Sequence, residues 1–239
     1  MVAAVETHSR AVEDYLKAIY KLERESSPPS PASTNALAET LERSAASVTN
    51  MVKSLADQGL VEHEPYRGVR LTAGGRRAAL RIIRRHRVIE TYLIERLGYT
   101  WDGVHAEAER LEHAASDDLV DRMARALGDP EVDPHGAPIP DRDGTINRRE
   151  LTALAALPVG ARGVVRQVSD DDDSRLRALS AIGLLLDTEV EVLRSGAGGC
   201  RVRVGGAEHE LEPELAADVL VEPVAAESIS DGEADQGGS

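Results

Sequence analysis

The sequence predicts a mainly α-helical chain with a small β component, built as an N-terminal winged helix-turn-helix, a helical dimerisation domain and a C-terminal β-barrel. Three observations carry this. Two short, well-capped helical patterns are followed directly by a hairpin pattern between residues 34 and 72. Three further helical stretches up to Gly128 have large apolar faces and no partner within their own segment. After Leu151 the periodicity changes from helical to short alternating strands separated by glycines. The expected divisions are 1–73 for the winged helix-turn-helix, 74–140 for the helical unit, 141–150 for a linker, 151–224 for the barrel and 225–239 for a disordered acidic tail.

In order, residues 7–24 read as an amphipathic helix with Val12, Tyr15, Leu16, Ile19, Tyr20 and Leu22 as its apolar stripe and Asp14 beside it. Residues 26–33 are rich in Pro and Ser and read as a loop. Thr34 is the expected cap of a short helix through Leu37, Ala38 and Leu41, and Ser44 caps a second through Val48, Met51, Val52 and Leu55, stopped by Gly59. Leu60 to Glu64 alternates, turns at Pro65-Tyr66-Arg67-Gly68 and returns as Val69 to Thr72. Helix, helix-turn-helix and hairpin in that order make a winged helix. A long helix then runs from Thr72 to about Arg96, a second from Trp101 to His113, and a third from its Ser116 cap to Gly128. Residues 129–149, with Asp133-Pro134-His135-Gly136-Ala137-Pro138-Ile139-Pro140 at their centre, read as a linker with rigid turns. Strands are expected at 159–165, 189–193, 200–204 and 209–211, with one helical piece at 174–182.

Charge narrows the function. The net charge is −14 over 239 residues, which argues against indiscriminate nucleic-acid binding. Yet Tyr66 to Ile89 holds no acid and eight arginines, a footprint for one polyanion approached one way; some of these arginines are expected to pair with acidic helices and those nearest the wing to meet phosphate. Cys200 is the single cysteine, so no internal disulfide or thiolate cluster is possible, and its alternation with Val202 and Val204 makes it a small core residue. No signal peptide or apolar run near the roughly 18 residues of a membrane span is visible, and a cytoplasmic location with no membrane partner is expected.

Two groups of residues carry the chemistry. On the second helix of the helix-turn-helix, Ser44 stands at the start, and Ser47, Thr49, Asn50 and Lys53 lie opposite the apolar side. Asn can pair with adenine through two hydrogen bonds, and Ser, Thr and Lys suit phosphates or base edges. Arg67 and Arg70 sit at the tip and return strand of the wing. The second group is His105-Ala106-Glu107-Ala108-Glu109-Arg110-Leu111-Glu112-His113, whose His105, Glu109, Glu112 and His113 share one helix side. Taken alone such a nonapeptide is an ordinary solvated face. His86 and Glu90 form another pair four residues apart, which His105 would complete if the two helices pack antiparallel, and Asp14 would complete the Glu109, Glu112 and His113 set. Carboxylate and imidazole without sulfur suit Mn²⁺, with Fe²⁺, Co²⁺ and Zn²⁺ open as well. His8, His63, His135 and His209 have no partner at ligand spacing and read as surface or local structural residues.

Together these motifs resemble the metal-dependent transcriptional repressors typified by the diphtheria toxin repressor, especially their manganese-responsive branch. The matching stretches are 13–20, 47–49, 59–61, 85–87, 104–113 and 133–140, in family order. The resemblance implies one metal site from Asp14, Glu109, Glu112 and His113, and another from His86, Glu90 and His105 with an acidic ligand from an SH3-like barrel, aligned best with Asp172 in the run 170–173. The methionine and cysteine ligands of the iron-responsive members are Asp14 and Glu109 here, which points to Mn²⁺. Barrel-less manganese members place a second acid where this chain has Lys17, which argues against their close binuclear site. The expected function is a homodimeric, Mn²⁺-activated repressor of metal-uptake genes, with two recognition helices on a palindromic double-stranded DNA operator. An Fe²⁺-responsive regulator is the leading alternative. A carboxylate-bridged metalloenzyme and a winged-helix sensor of an organic ligand are the others.

Overall fold

The computed structural model describes residues 8–25, 30–64, 67–147, 149–196 and 198–224. It falls into two compact units that part at residues 148 and 149. Residues 26–29 of the loop expected at 26–33, the wing residues Pro65 and Tyr66, and the tail from 225 onward lie outside the described residues.

The first unit opens with α1 (Arg10–Glu25), whose Val12, Tyr15, Leu16, Ile19 and Tyr20 are buried as the apolar spacing requires. α2 (Thr34–Thr40) and α3 (Ala45–Asp57) follow. Ser33, and not Thr34, caps α2. Its extended backbone lets its hydroxyl accept from the Ala36 amide at 3.0 Å, while Thr34 is already helical. Ser44 caps α3 by accepting from the Ser47 amide at 3.2 Å. Gly59, at φ +70°, ends α3: its amide donates to Ala56 and that of Leu60 to Leu55, so two orphan carbonyls are satisfied.

Strands β1 (Val61–Glu64) and β2 (Gly68–Leu71) pair antiparallel in the register Val61 with Leu71 to Glu64 with Gly68. Ala32 bridges Val69 on the far edge of β2. The buried Glu23 carboxylate ties α1 to this wing, accepting from the Leu71 amide at 2.8 Å and from Arg76 at 2.8 Å. One apolar cluster joins α1, α2, α3, the hairpin and the first turns of the next helix.

That helix, α4 (Ala73–Leu97), is the spine of the unit. Thr72 caps it and Gly98 ends it at φ +73°. It buries Ile82, Ile83, Val88, Ile89 and Leu93, and with them the polar Arg85, His86, Glu90 and Thr91. Helix α5 (His105–Leu111) is shorter than its pattern predicts. Residues 101–104 form a turn around Gly103, where a Cβ would stand 2.8 Å from the Thr100 hydroxyl oxygen. Glu112 still keeps helical dihedrals, so the ligand spacing survives past the end of α5. α6 (Asp117–Ala126) is capped by Ser116. Val88 packs with Val120, Ala124 and Ile139, and Ile89 and Leu93 pack with Val104 and Ala108.

Residues 133–140 are not linker. Asp133, His135, Ala137 and Ile139 are buried. Asp133 accepts from the amides of His135 and Ala137 at 2.9 Å each, folding the segment on itself. The Trp101 indole donates to the Pro134 carbonyl, and the His135 Nε2 donates back to that of Trp101, both at 2.9 Å. His135 is thus the local structural residue its spacing suggested.

The second unit is an antiparallel six-stranded sheet of SH3-like type, in the order β3 (Thr152–Ala153), β8 (Val219–Val224), β4 (Arg162–Val168), β5 (Glu189–Gly196), β6 (Gly199–Val204), β7 (Ala207–Leu211). Strands β3 and β8 are additions to those expected from the pattern. Bulges at Val165/Gln167 and Val192/Arg194 bend it, and α7 (Asp173–Ala181) and α8 (Pro213–Ala217) accompany it. Along β6, Cys200, Val202 and Val204 are buried while Arg201 and Arg203 face out to Glu210, Glu191 and Glu208.

The start of α4 yields a paired test. A Cβ on Gly75 would lie 1.9 Å from the Leu60 carbonyl oxygen, while one on Gly74 would meet only the Thr72 hydroxyl at 3.6 Å. Gly75→Ala is expected to cost more than about 2 kcal/mol in urea unfolding, whereas Gly74→Ala is neutral or gains up to about 1 kcal/mol. Equal effects at the two positions would contradict the close approach.

Candidate metal centre and DNA-facing surface

Three elements converge on one buried polar centre. α1 contributes Glu13, Asp14 and Lys17; α4 contributes Arg85, His86 and Glu90; α5 and the turn after it contribute His105, Glu109, Glu112 and His113. Glu90 and Glu112 are completely buried. Buried carboxylates are stable only when paired or coordinated, so the arrangement around them defines what this centre can do.

Asp14, Glu112 and His113 each bring a ligand atom within 4.8 Å of the others. The His113 Nε2 lies 2.9 Å from Asp14 and 3.5 Å from Glu112. Behind it, the Nδ1 donates to Glu13 at 2.8 Å, which fixes the ring's orientation. Glu13 is held in turn by Arg85 at 3.4 Å, and Arg85 donates to Asp117 of α6 at 3.0 Å. Burial raises the Asp14 carboxyl above its ordinary range, and the attraction of His113 and Arg10 only partly offsets it.

The second group is His86, Glu90 and His105, which gather in the same way. The His86 Nε2 lies 3.0 Å and the His105 Nδ1 3.3 Å from the same Glu90 oxygen. The two rings meet edge to face with centroids 4.8 Å apart. The antiparallel packing of α4 and α5 that this set required is thereby met. His86 also faces the other way: its Nδ1 donates to Glu112 at 2.5 Å. Burial and the Lys17 charge work against protonation of His86, but hydrogen bonds to Glu112 and Glu90 prevail and push its pKa up to about 9.

Glu109, which the resemblance places with Asp14, Glu112 and His113, here faces Lys17. Its carboxylate, with Glu112 and His86, forms a third group between the other two. The Lys17 ammonium sits on that group. It donates to Glu109 at 2.5 Å and to both oxygens of Glu112 at 3.1 and 3.0 Å, and lies 3.3 Å from the His86 Nδ1. Burial opposes the lysine's charge, but Glu112 and Glu109 outweigh it and its pKa rises. Conversely burial opposes the Glu109 charge, yet Lys17 holds that carboxyl below its usual range. Lys17 stood out in the sequence as a departure, without this contact; Glu13 and Arg85 appeared there only within matched stretches and the arginine run, and Asp117 not at all.

Asp172 belongs to the second unit, where it caps α7. Its carboxylate accepts from the Ser174 amide at 2.8 Å and from the Ser174 hydroxyl at 2.5 Å. These bonds hold it below the usual carboxylate range.

The arginine run of α4 is turned inward for the most part. Arg76 pairs with Glu23, Arg81 and Arg85 with Asp117, Arg84 with Asp121, and Arg87 with Asp133 and the Pro138 carbonyl. The apparent polyanion strip is therefore chiefly an internal ion-pair ladder. The DNA-facing candidates lie on α3 and the wing. Val48, Val52 and Leu55 anchor α3 in the core, and Ser44, Ser47, Asn50 and Lys53 are exposed. Thr49 is half-buried, and its hydroxyl donates back to the Ala45 carbonyl at 2.8 Å. Arg67 and Arg70 are exposed on the wing, with Arg67 3.2 Å from Glu64.

A winged helix whose first helix also supplies the acids of a buried carboxylate–imidazole centre defines a metal-responsive DNA-binding regulator. Three family models match: "Iron dependent repressor, N-terminal DNA binding domain" over residues 8–69, "Iron dependent repressor, metal binding and dimerisation domain" over 72–141, and "FeoA domain" over 152–223. The chain belongs to the iron-dependent repressor family, the metal-dependent transcriptional repressors that include the diphtheria toxin repressor. It is 35% identical over 225 residues to the iron-dependent repressor IdeR of Mycobacterium leprae, covering 89% of this chain and 96% of that one. It is 33% identical over 222 residues to the diphtheria toxin repressor of Corynebacterium efficiens, covering 89% and 95%. A solved structure described as a manganese-dependent transcriptional repressor in complex with manganese matches with a TM-score of 0.84 and 41% identity, over 89% of this chain and all of that one. The family consists of DNA-binding repressors, so the metalloenzyme alternative falls. Among the described residues no helix is long and apolar enough to cross a membrane.

The Arg81–Asp117–Arg85 contact makes a pH-dependent prediction. Burial opposes the Asp117 charge, but the two guanidinium groups lower its pKa. A depressed carboxylate stabilises the fold above its unfolded value near 3.9 and loses that contribution as pH falls through its folded value. Asp117→Asn is expected to cost about 1 kcal/mol at pH 7, since the pair is partly solvent-screened, and the gap to wild type should close below about pH 4. Chelator-treated protein unfolded in urea across that range checks this.

Proposed function

We propose that this chain is a homodimeric, Mn²⁺-activated repressor of metal-uptake genes in the cytoplasm, acting on a palindromic operator. The observation that carries the reading is the donor set. Asp14, Glu112 and His113 offer oxygen and imidazole nitrogen, with Glu109 close by, and the one cysteine is buried in the second unit. Hard and borderline donors without thiolate suit Mn²⁺, and the manganese-bound repressor noted above supports the same choice. The Fe²⁺ reading is kept alive by the 35% identity to IdeR.

The residues at the centre fit a divalent ion. Asp14, Glu112 and His113, with Glu109, would hold one, and His86, Glu90 and His105 would contribute to another. When bound, the ion supplies the positive charge that lets these acids approach. The chain's own part is geometric. Asp14 sits on the helix that carries the apolar core of the winged helix, while Glu112 and His113 sit beyond α5. Drawing them together sets α1 against α4 and α5. Coupling of this kind favours the arrangement in which both recognition helices enter successive major grooves. Exposed Leu97, Tyr99, Leu111 and Leu119 at the ends of α4, α5 and α6 supply apolar surface for the second copy.

Anisotropy titrations of operator DNA with and without Mn²⁺ test the function. Affinity should rise by at least tenfold with Mn²⁺, within the usual range of allosteric coupling of about 5–150-fold. Equal affinity in Mn²⁺ and in chelator would sink the proposal. Transcript levels under manganese against iron supplementation separate the two metal readings.

The support behind His113 gives a second test. Glu13→Ala removes the partner of the Nδ1 and should weaken Mn²⁺ binding by about 10–100-fold, as loss of such outer partners does. Calorimetric titration reads this directly, and an unchanged affinity would deny Glu13 a positioning role.

A further inference from the structure

The position of Lys17 carries an inference that goes deeper than the metal reading and rests on it. Three facts combine. The ammonium contacts both oxygens of Glu112, at 3.1 and 3.0 Å, and one of Glu109, at 2.5 Å. The trio His86, Glu109 and Glu112 on which it rests is itself a set of ligand atoms within 4.8 Å of one another. Glu112 belongs at the same time to the group with Asp14 and His113, and its His86 contact reaches toward Glu90. One tethered positive charge therefore sits where the two candidate sites adjoin and engages the carboxylates that a divalent ion would need.

We propose that Lys17 is a built-in competitor cation: its ammonium fills a third cation position of the centre, stabilises the metal-free arrangement, and sets the metal concentration at which the protein responds. Two consequences follow from elementary electrostatics. A completely buried Glu112 beside Glu109 would be strained without a counter-charge, so the lysine lowers the energy of the metal-free state. Whatever stabilises the unbound state weakens apparent binding by the same factor. The tether also limits the response. A covalently held ammonium is present at a fixed local concentration, so only a cation of higher charge displaces it effectively from the shared carboxylates. The charge at the middle position further opposes two divalent ions side by side at Glu112, which keeps the two candidate sites separate.

The test uses the full chain with Lys17→Met, which keeps the unbranched stem and removes the charge, and Lys17→Arg, which keeps the charge. Free Mn²⁺ is followed by electron paramagnetic resonance during titration, and thermal melting is recorded in chelator and in Mn²⁺. Lys17→Met should bind Mn²⁺ about tenfold or more tightly than wild type, while Lys17→Arg stays within about threefold. In chelator Lys17→Met should melt lower than wild type, and Mn²⁺ should raise its melting temperature by more. A variant that folds only when refolded in Mn²⁺ gives the same answer. Affinity unchanged or weakened in Lys17→Met, or melting lowered equally in both conditions, overturns the proposal and makes Lys17 a structural residue. Wild type and both variants failing alike to bind Mn²⁺ would overturn the metal reading itself, and this proposal with it.

Discussion

The burial of Glu90 and Glu112 is the constraint on which the first unit depends. Removing a carboxylate from water is costly unless charge or hydrogen bonds replace the lost solvation. Here the replacements come from separate parts of the chain: Lys17 from α1, His86 from α4 and His105 from α5. Each partner therefore acts as a tie between helices. The apolar clusters hold the helices in close-packed contact. The carboxylates add a directional demand, because a displaced Lys17 or His86 leaves a buried charge unmatched. The polar centre thus reinforces the register that apolar packing sets.

That register matters because α1 serves two masters. Its apolar stripe is part of the core that supports α3 and the wing, and Glu23 near its end fastens β2 and the base of α4. Its polar side carries Glu13, Asp14 and Lys17 into the ligand centre. Neither face can move without the other. The core that supports α3 and the polar centre therefore share one element, α1. The ion-pair ladder Glu13–Arg85–Asp117–Arg81 extends the same fastening to α6.

How far this could be read from sequence differs by feature, for physical reasons. The helix-turn-helix was legible because caps and stops are local: Ser44 and Gly59 act within their own turn. Apolar periodicity gave α1 and α4. The length of α5 was not legible, because residues 101–104 form a turn inside an otherwise helical pattern, closed by the Gly103 amide donating to the Thr100 carbonyl at 3.2 Å. Residues 133–140 looked like linker because Pro and Gly are abundant. Their burial rests on Arg84, Arg87 and Trp101, which lie far away in sequence. The ligand sets were visible as i, i+4 pairs on α4 and near α5. Spacing on a helix fixes a face, but it does not say which carboxylate turns toward which cation. The placement of Glu109 toward Lys17, and of Glu13 behind His113, depends on a helix about a hundred residues upstream. The same holds for the arginines of α4: pairing of some with acidic helices was expected, but the particular partners at 23, 117 and 121 were not legible.

On the proposed metal reading, carboxylates at positions 14 and 109 matter for the centre's charge as well as for its metal preference. With Asp14 and Glu109 both ionisable, the group around Glu112 carries more negative charge than a neutral thioether would bring. A protein with such a centre must hold itself together when metal is scarce. A mobile counter-ion from solution would do so only at the price of ordering it. Here the chain itself supplies a counter-charge: the Lys17 ammonium contacts Glu109 and Glu112, against the roughly 1.5–2 kcal/mol that ordering so long a side chain costs. On the proposed reading, the carboxylates that would hold a divalent ion are the same ones that Lys17 engages in its absence, so a single exchange of charge at Glu109 and Glu112 would tie metal supply to the seating of α1.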